Sequence, residues 1–154
     1  MIDAPYREFS EDIEIEVAPL FLPEKSDPIK NIYLFFYVIR ITNHRKSKVQ
    51  LIKRKWFIRS GDGFEQVVMG DGVVGQTPFI EPGESFSYSS YCPLGTPTGN
   101  MRGQYIFLDV NENTFNGTIP LFFLRSANHK DHQKETFEWI RNEILPEHMA
   151  SLQL

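Results

Sequence analysis

The segment GDGVVG, residues 70–75, has the spacing G-x-G-x-x-G that holds the pyrophosphate of a dinucleotide in many enzymes. In those enzymes the motif follows a strand and opens a helix, whose N-terminal N–H groups and dipole bind the phosphates. Here the motif is followed by Gln-Thr-Pro-Phe-Ile-Glu-Pro-Gly, and two prolines four residues apart cannot continue a helix. No acidic residue lies in 91–95, where the ribose would need one. A dinucleotide-binding fold is therefore excluded.

Two interpretations of Gly70, Gly72 and Gly75 stay open. Glycines permit positive φ and can expose backbone N–H groups, which would form a nest for pyrophosphate or a nucleotide without a helix. Alternatively, Gly70 and Gly72 form a bulge or turn between strands, and Gly75 lets two backbones approach each other. A spacing match outside its usual structural context favours the second interpretation.

Seven basic residues and no acidic residue lie in 45–59. On a strand over 49–59, Lys53, Lys55 and Arg59 share one face and could bind phosphate oxygens beside the glycine loop. Lysines on a sheet surface also prevent edge-to-edge aggregation, which is the more ordinary explanation. The opposite face of this strand is formed by Ile52, Arg54, Trp56 and Ile58. Because that face is largely apolar, we expect Trp56 in the core.

Metal-binding and nucleophilic residues are sparse. His129 and His132, with Asp131 between them, could approach a metal ion from one side of a helix start, but such pairs are common on solvated turns. Cys92 has no histidine near it in sequence, and we interpret it as a half-buried thiol at a strand end. We expect no resident cofactor, and at most a weakly bound divalent metal or pyrophosphate.

Composition predicts one domain with a packed interior. The 154 residues are 41% hydrophobic and 14% aromatic, and a single cysteine excludes an internal disulfide. The net charge of −4 argues against general nucleic-acid binding. The first residues do not resemble a signal peptide and no stretch reaches membrane-spanning length, so we expect a cytoplasmic protein that does not bind membranes.

Alternating apolar and polar residues predict an all-β, antiparallel sandwich. The predicted strands cover 13–17, 31–42, 49–59, 64–69, 84–91, 101–110 and 118–125. Asp62 between two glycines predicts one hairpin turn, and Asn116-Gly117 predicts another. After residue 128 the pattern changes to helical spacing, with Phe137, Ile140 and Ile144 on one side and a stop at Pro146. We therefore expect a sandwich domain over 1–126 and a helical extension over 127–154 that docks on the sandwich or on a partner.

Three consecutive segments resemble the bacterial ApaG family, also called CorD. They are NIYLFFYVIRITNHRKSKVQLIKRKWFI, VVMGDGVVGQTPFIEPGESFSYSS, and GTPTGNMRGQYIFL followed by IPLFFL. The resemblance implies an immunoglobulin-like or fibronectin-like fold, the glycine motif at Gly70, Gly72 and Gly75, and an Arg-His-Trp triplet at Arg54, Lys55 and Trp56. Lys55 stands where the family usually has histidine, which weakens any metal or proton role at that position. The family is associated with magnesium and cobalt efflux phenotypes, a neighbouring diadenosine tetraphosphate hydrolase gene, and protein recognition when fused to F-box proteins.

The leading functional hypothesis is a binding module without catalytic residues that recognises a protein partner. The second is a module that binds pyrophosphate or a nucleotide at the glycine loop, with help from nearby basic residues. A metal-dependent phosphohydrolase is a third class, although the carboxylates and histidines that such enzymes gather around an ion cannot be assembled from this chain. A homodimer through an edge strand or the tail helix is also open.

Overall fold

The structure, a computed structural model, describes residues 5–126 and 130–144, with side chains in the last segment described from Gln133 onward. Two antiparallel sheets pack face to face, and one helix covers the outside of the first. The first sheet contains β1 (Tyr6–Ser10), β2 (Ile13–Phe21), β3 (Tyr33–Asn43) and β7 (Ser85–Leu94), in the order β1-β2-β3-β7. The second contains β4 (Val49–Ser60), β5 (Glu65–Asp71), β6 (Phe79–Ile80), β8 (Thr98–Leu108) and β9 (Thr114–Arg125), in the order β5-β4-β8-β9, with β6 also paired to β4. Two short 3-10 turns, Pro23–Lys25 and Pro28–Lys30, lie between β2 and β3, and the helix α1 spans Lys130–Glu143.

The predicted antiparallel sandwich is confirmed, including the central strand that sequence placed at 31–42. Both faces of β3 are buried, which explains its run of apolar residues on both parities. Phe35, Ile39 and Ile41 face the second sheet, and Phe36 and Val38 face the helix. The sequence pattern predicted too few strands, since β1 and β6 were missed. It also ended β2 too early, because this strand continues through Pro19 to Phe21.

The predicted C-terminal helix is present and docks on the sandwich. Trp139, Ile140 and Ile144 are buried on the outer face of the first sheet, and Phe137 packs against them while partly exposed. Trp139 is fully buried, although sequence analysis did not single it out. The sheet residues beneath this side of the helix are Ala18, Leu20, Leu22, Phe36 and Val38.

The Arg40 side chain links helix α1 to the first sheet. Arg40 donates from Nε to Glu16 Oε1 (2.7 Å) and from Nη2 to Glu16 Oε2 (3.1 Å), and the Glu16 side chain is only 5% exposed. The same guanidinium donates from Nη1 to the Glu143 carbonyl oxygen (3.1 Å) and lies 5.3 Å from the centre of the Trp139 ring. Arg40 therefore neutralises a buried carboxylate and contacts two residues of the helix.

The turn predicted at Asn116-Gly117 is wrong. Both residues lie inside β9, where Asn116 pairs with Ile106 and Gly117 with Tyr105. A Cβ atom on Gly117 would meet the Phe107 ring at 2.6 Å, so this glycine makes room for an aromatic side chain. The actual turn lies at 109–113, where the Asp109 carboxylate accepts hydrogen bonds from the backbone N–H groups of Asn111 and Asn113.

We expect Arg40→Ala to lower the free energy of unfolding by about 3 kcal/mol, because it leaves the Glu16 carboxylate buried without a partner. Guanidinium chloride denaturation measures the loss. The control is Arg102→Ala, whose ion pair with Glu65 (3.6 Å) is solvent-exposed and for which we expect a loss of about 1 kcal/mol or less. Equal losses in the two variants would contradict this role of Arg40.

Candidate functional site

A bulge in β4 determines which side chains point between the sheets. The pairing of β4 with β8 shifts register between Leu51 and Lys53, so the buried positions change from Val49 and Leu51 to Trp56. Trp56 is in the core, as predicted, but Ile52 falls at the bulge and leaves the alternation that sequence had assigned to it. Arg54, two residues before Trp56, therefore lies on the inner face of the second sheet.

The glycine motif forms a small hairpin beside the same bulge. Strands β5 and β6 pair with successive parts of β4, and the chain between them leaves the sheet and returns. The Gly72 N–H donates to the Ile52 carbonyl (2.8 Å), and Val73 and Gln76 exchange backbone hydrogen bonds of 2.8 and 2.9 Å. Val74 and Gly75, the two residues at the tip, have φ values of 43° and 79°, which is the pattern of a type I′ turn. No helix follows Gly75, as the prolines predicted.

Each position of the motif requires glycine for a different local reason. A Cβ atom on Gly70 would lie 2.7 to 2.8 Å from three atoms of the Arg54 guanidinium. Gly72 has φ of +60°, and its Cβ would lie 2.0 Å from the Gln76 carbonyl oxygen. Gly75 needs only its positive φ, since nothing lies within 4 Å of the position a Cβ would take. The close backbone approach that sequence assigned to Gly75 thus occurs at Gly72.

Arg54 holds this loop from inside the sandwich. Its Nη1 donates to the carbonyl oxygens of Asp71 (3.0 Å) and Gly72 (2.9 Å), while the guanidinium lies against Gly70. The loop therefore presents carbonyl groups to a cation, and the N–H groups of Gly72, Val73 and Gln76 are donated within the protein. These contacts favour the structural interpretation of the motif, and pyrophosphate binding at this loop stays a prediction.

The basic residues Lys53, Lys55 and Arg59 lie on the opposite, outer face of β4. Lys53 pairs with Asp71 next to the glycine loop, whereas Arg59 pairs with Glu65 at the other end of the strand. Six residues separate these positions, or roughly 20 Å of extended chain. The structure therefore does not bring the three cations together around the loop.

The candidate thiol and metal ligands are Cys92, His129 and His132. Cys92 is buried within β7, more deeply than the half-buried strand end that sequence suggested. His129 and the side chain of His132 lie outside the described residues. Within the described ranges, no group of three or more His, Cys, Asp or Glu side chains could hold a metal ion. No helix in the same ranges is long and apolar enough to cross a bilayer.

The sandwich is closed along one long edge and open along the other. At the closed edge β1 packs on β9, with the Tyr6 and Phe122 rings 6.1 Å apart and the Thr118 N–H donating to Ser10 Oγ (2.7 Å). At the opposite edge β5 and β7 flank a cavity of about 440 Å³, here called the inter-sheet cavity. Its lining is formed by Tyr37, Arg54, Trp56, Ile58, Gln66, Val68, Val73, Val74, Tyr88, Ser90, Tyr91, Cys92, Pro93 and Met101. The cavity has no signal in the sequence, because its walls come from strands that are distant from one another in the chain.

Burial keeps several ionisable groups of the cavity in their neutral form. It raises the pKa of Tyr37 to about 12, although a hydrogen bond with the Ser90 side chain opposes the rise. Burial likewise raises the pKa of the Cys92 thiol to about 12 and that of Tyr88 well above its ordinary value. The Tyr88 hydroxyl is hydrogen-bonded to that of Tyr105 on the facing sheet. At neutral pH these groups offer protons and no negative charge.

Comparisons with known proteins agree with this architecture. The family model of the ApaG domain matches residues 23–109. Protein ApaG of Methylobacterium sp. (strain 4-46) is 44% identical over 119 residues, which cover 77% of this chain and 92% of that protein. Protein ApaG of Bordetella pertussis is 45% identical over 113 residues, which cover 73% of this chain and 86% of that protein. A crystal structure of a Bordetella pertussis protein described as ApaA matches with a TM-score of 0.74 and 42% identity, over 82% of this chain and 98% of that one. The fold is thus an immunoglobulin-like sandwich, and the chain belongs to the ApaG domain family.

We expect the variants Gly72→Ala and Gly75→Ala to differ sharply in stability. Gly75→Ala adds only a left-handed backbone strain of about 1 kcal/mol, whereas Gly72→Ala adds the same strain and a clash with the Gln76 carbonyl, for a loss of about 3 kcal/mol or more. Urea denaturation of both variants measures the difference. Similar losses would mean that the loop does not have this conformation.

The raised pKa of Tyr37 predicts a loss of stability in alkaline solution. Tyrosine in the unfolded chain ionises near pH 10 and Tyr37 in the folded chain near pH 12, so its contribution is complete below pH 10 and is lost as the pH rises to 12. At pH 11 we expect this single group to have lost about 1 kcal/mol. Denaturation curves recorded from pH 9 to 11.5 test it, and Tyr37→Phe should show a shallower decline. The same decline of stability with pH in both proteins would contradict the assignment of this loss to Tyr37.

Proposed function

We propose that this protein is a binding module that recognises an acidic, partly apolar segment of another protein through the outer face of its second sheet. The observation that supports the proposal is an asymmetry between the two outer faces. The outer face of the first sheet is covered by α1 through Trp139, Ile140 and Ile144. The outer face of the second sheet carries the exposed apolar side chains Val67 (52% exposed) and Met69 (65%).

This surface, called the open sheet face, is defined by register. Residues paired directly across antiparallel strands point to the same side of the sheet. Lys55 pairs with Met69 and Gln104, Phe57 with Val67 and Arg102, and Lys53 with Asp71 and Ile106. The open sheet face thus consists of Lys53, Lys55, Phe57 and Arg59 on β4, Glu65, Val67, Met69 and Asp71 on β5, and Arg102, Gln104 and Ile106 on β8.

Phe57 is the natural anchor of this face. The Lys55 Nζ lies 5.1 Å and the Arg102 guanidinium carbon 4.6 Å from the centre of its ring. Aromatic and arginine side chains dominate the energetics of protein interfaces when they are desolvated together. Cations outnumber carboxylates on the open sheet face, which favours an acidic partner and a salt-dependent association rate.

The edge strand β5 extends the same surface. It pairs only with β4 among the described strands, so the backbone groups on its other side are available to an added strand. A partner segment that pairs with β5 would place alternate side chains against Val67 and Met69. A second copy of this chain could pair in the same way, and the homodimer is therefore an outcome of the test.

We expect Val67→Glu to weaken capture of a stoichiometric protein partner by at least about tenfold, because it places a carboxylate in the apolar strip and repels an acidic segment. The tagged full chain is incubated with extract of its native cell, and the bound proteins are quantified by mass spectrometry.

The matched control is Val110→Glu, the same change at a valine that is 58% exposed in the turn between β8 and β9. It should retain the partner at the wild-type level. Equal retention by both variants, or no stoichiometric partner for the wild type, would overturn the proposal. Light scattering of the purified wild type distinguishes a homodimer, which should also be lost in Val67→Glu only.

A further inference from the structure

Among the described residues that line the inter-sheet cavity, Arg54 is the one Lys, Arg, Asp or Glu. The rest of this lining is mainly aromatic and aliphatic, with polar groups from Gln66, Ser90 and the tyrosines Tyr37, Tyr88 and Tyr91. A volume of about 440 Å³ lies within the range of small-molecule sites, which are typically apolar with a few fixed polar groups. The cavity therefore has the size and lining of a binding site.

The charge of Arg54 is not neutralised by the described part of the chain. No carboxylate of those residues lies within ion-pair distance of its guanidinium. Its two hydrogen bonds both leave from Nη1, so Nε and Nη2, which form one edge of the guanidinium, make none to the described residues. Because a guanidinium binds a carboxylate through two parallel N–H groups, this edge is suited to receive one.

The orientation of Arg54 is fixed before any ligand arrives. The guanidinium lies against Gly70, where even a methyl group would collide with it, and the carbonyls of Asp71 and Gly72 hold its other edge. A donor group that is already ordered loses little conformational entropy on binding. Tyr37 and Tyr88 stay protonated in the same cavity, so they do not repel an anion.

We propose that the inter-sheet cavity binds a small carboxylate with an aromatic or aliphatic body, whose carboxylate pairs with the Nε and Nη2 groups of Arg54 while its body lies against Trp56, Ile58 and Met101. The site is independent of the open sheet face, since the two lie on opposite faces of the second sheet.

The same geometry argues against pyrophosphate in this cavity. A pyrophosphate carries several negative charges, and burying it needs several cations or a metal ion. Lys53, Lys55 and Arg59 project from the other face of β4, so Arg54 would be the only cation that the described residues offer there. The single positive charge of one guanidinium balances the single negative charge of one carboxylate.

The test follows phenylacetate binding by ¹H–¹⁵N NMR of the full chain, reading the Trp56 indole N–H and the backbone amides of β5 and β7. We expect phenylacetate to shift these signals saturably in the millimolar range. Phenylacetamide, which has the same shape without the charge, should bind at least about tenfold more weakly. Pyrophosphate should leave these signals in place. Equal binding of the acid and the amide, no saturable shift with phenylacetate, or a larger effect of pyrophosphate would each overturn the proposal.

Two variants locate the site. Arg54→Lys keeps the positive charge but loses the paired donors, and should weaken phenylacetate binding by about tenfold. Ser90→Leu keeps Arg54 and fills the cavity from β7, and should weaken binding at least as much. Lys46→Gln, a change at an exposed residue between β3 and β4, should bind phenylacetate as the wild type does. A fingerprint spectrum of each variant establishes that it is folded, and unchanged affinity in folded Ser90→Leu would place the ligand elsewhere.

Discussion

The contact of the Arg54 guanidinium with Gly70 and with the carbonyl oxygens of Asp71 and Gly72 is the interaction on which the structure of this end of the sandwich depends. Arg54 reaches the interior because the β4 bulge changes which residues point inward. Once inside, it fixes the glycine hairpin, and its charge sets the electrostatic character of the inter-sheet cavity. A motif known for binding phosphate with N–H groups is here organised around a cation that binds carbonyl groups.

The two edges of the sandwich differ from each other, and so do its two outer faces. Strands β1 and β9 close one edge, while β5 and β7 leave the other open over the cavity. Helix α1, held by Arg40 and Trp139, covers one outer face and leaves the open sheet face to solvent. The described part of the chain therefore has two separate uncovered features on the second sheet, the inter-sheet cavity beside Arg54 on its inner side and the open sheet face around Phe57 on its outer side.

Local patterns in the sequence predicted seven of the nine described strands, the helix and the family, because side-chain alternation and turn residues are properties of neighbouring positions. Trp56 in the core and the missing helix after Gly75 followed from such patterns. The prediction failed where a contact between distant parts of the chain determines the local structure. Gly117 looks like a turn residue, but it lies within β9 and makes room for the ring of Phe107. The alternation also placed Arg54 on the same face as Trp56, but it gave no signal of the bulge that lets Val49, Leu51 and Trp56 all point inward, or of the cavity beside Arg54.

Hydrogen exchange at the Gly72 amide tests the Arg54 clamp most directly. This N–H donates to the Ile52 carbonyl, and the Gly72 carbonyl accepts from Arg54, so both bonds hold the same peptide segment. We predict a slowly exchanging Gly72 amide in the wild type and in Lys53→Gln, and exchange at least about tenfold faster in folded Arg54→Gln. A Gly72 amide that exchanges rapidly in the wild type, or at the same rate in all three proteins, would contradict the clamp.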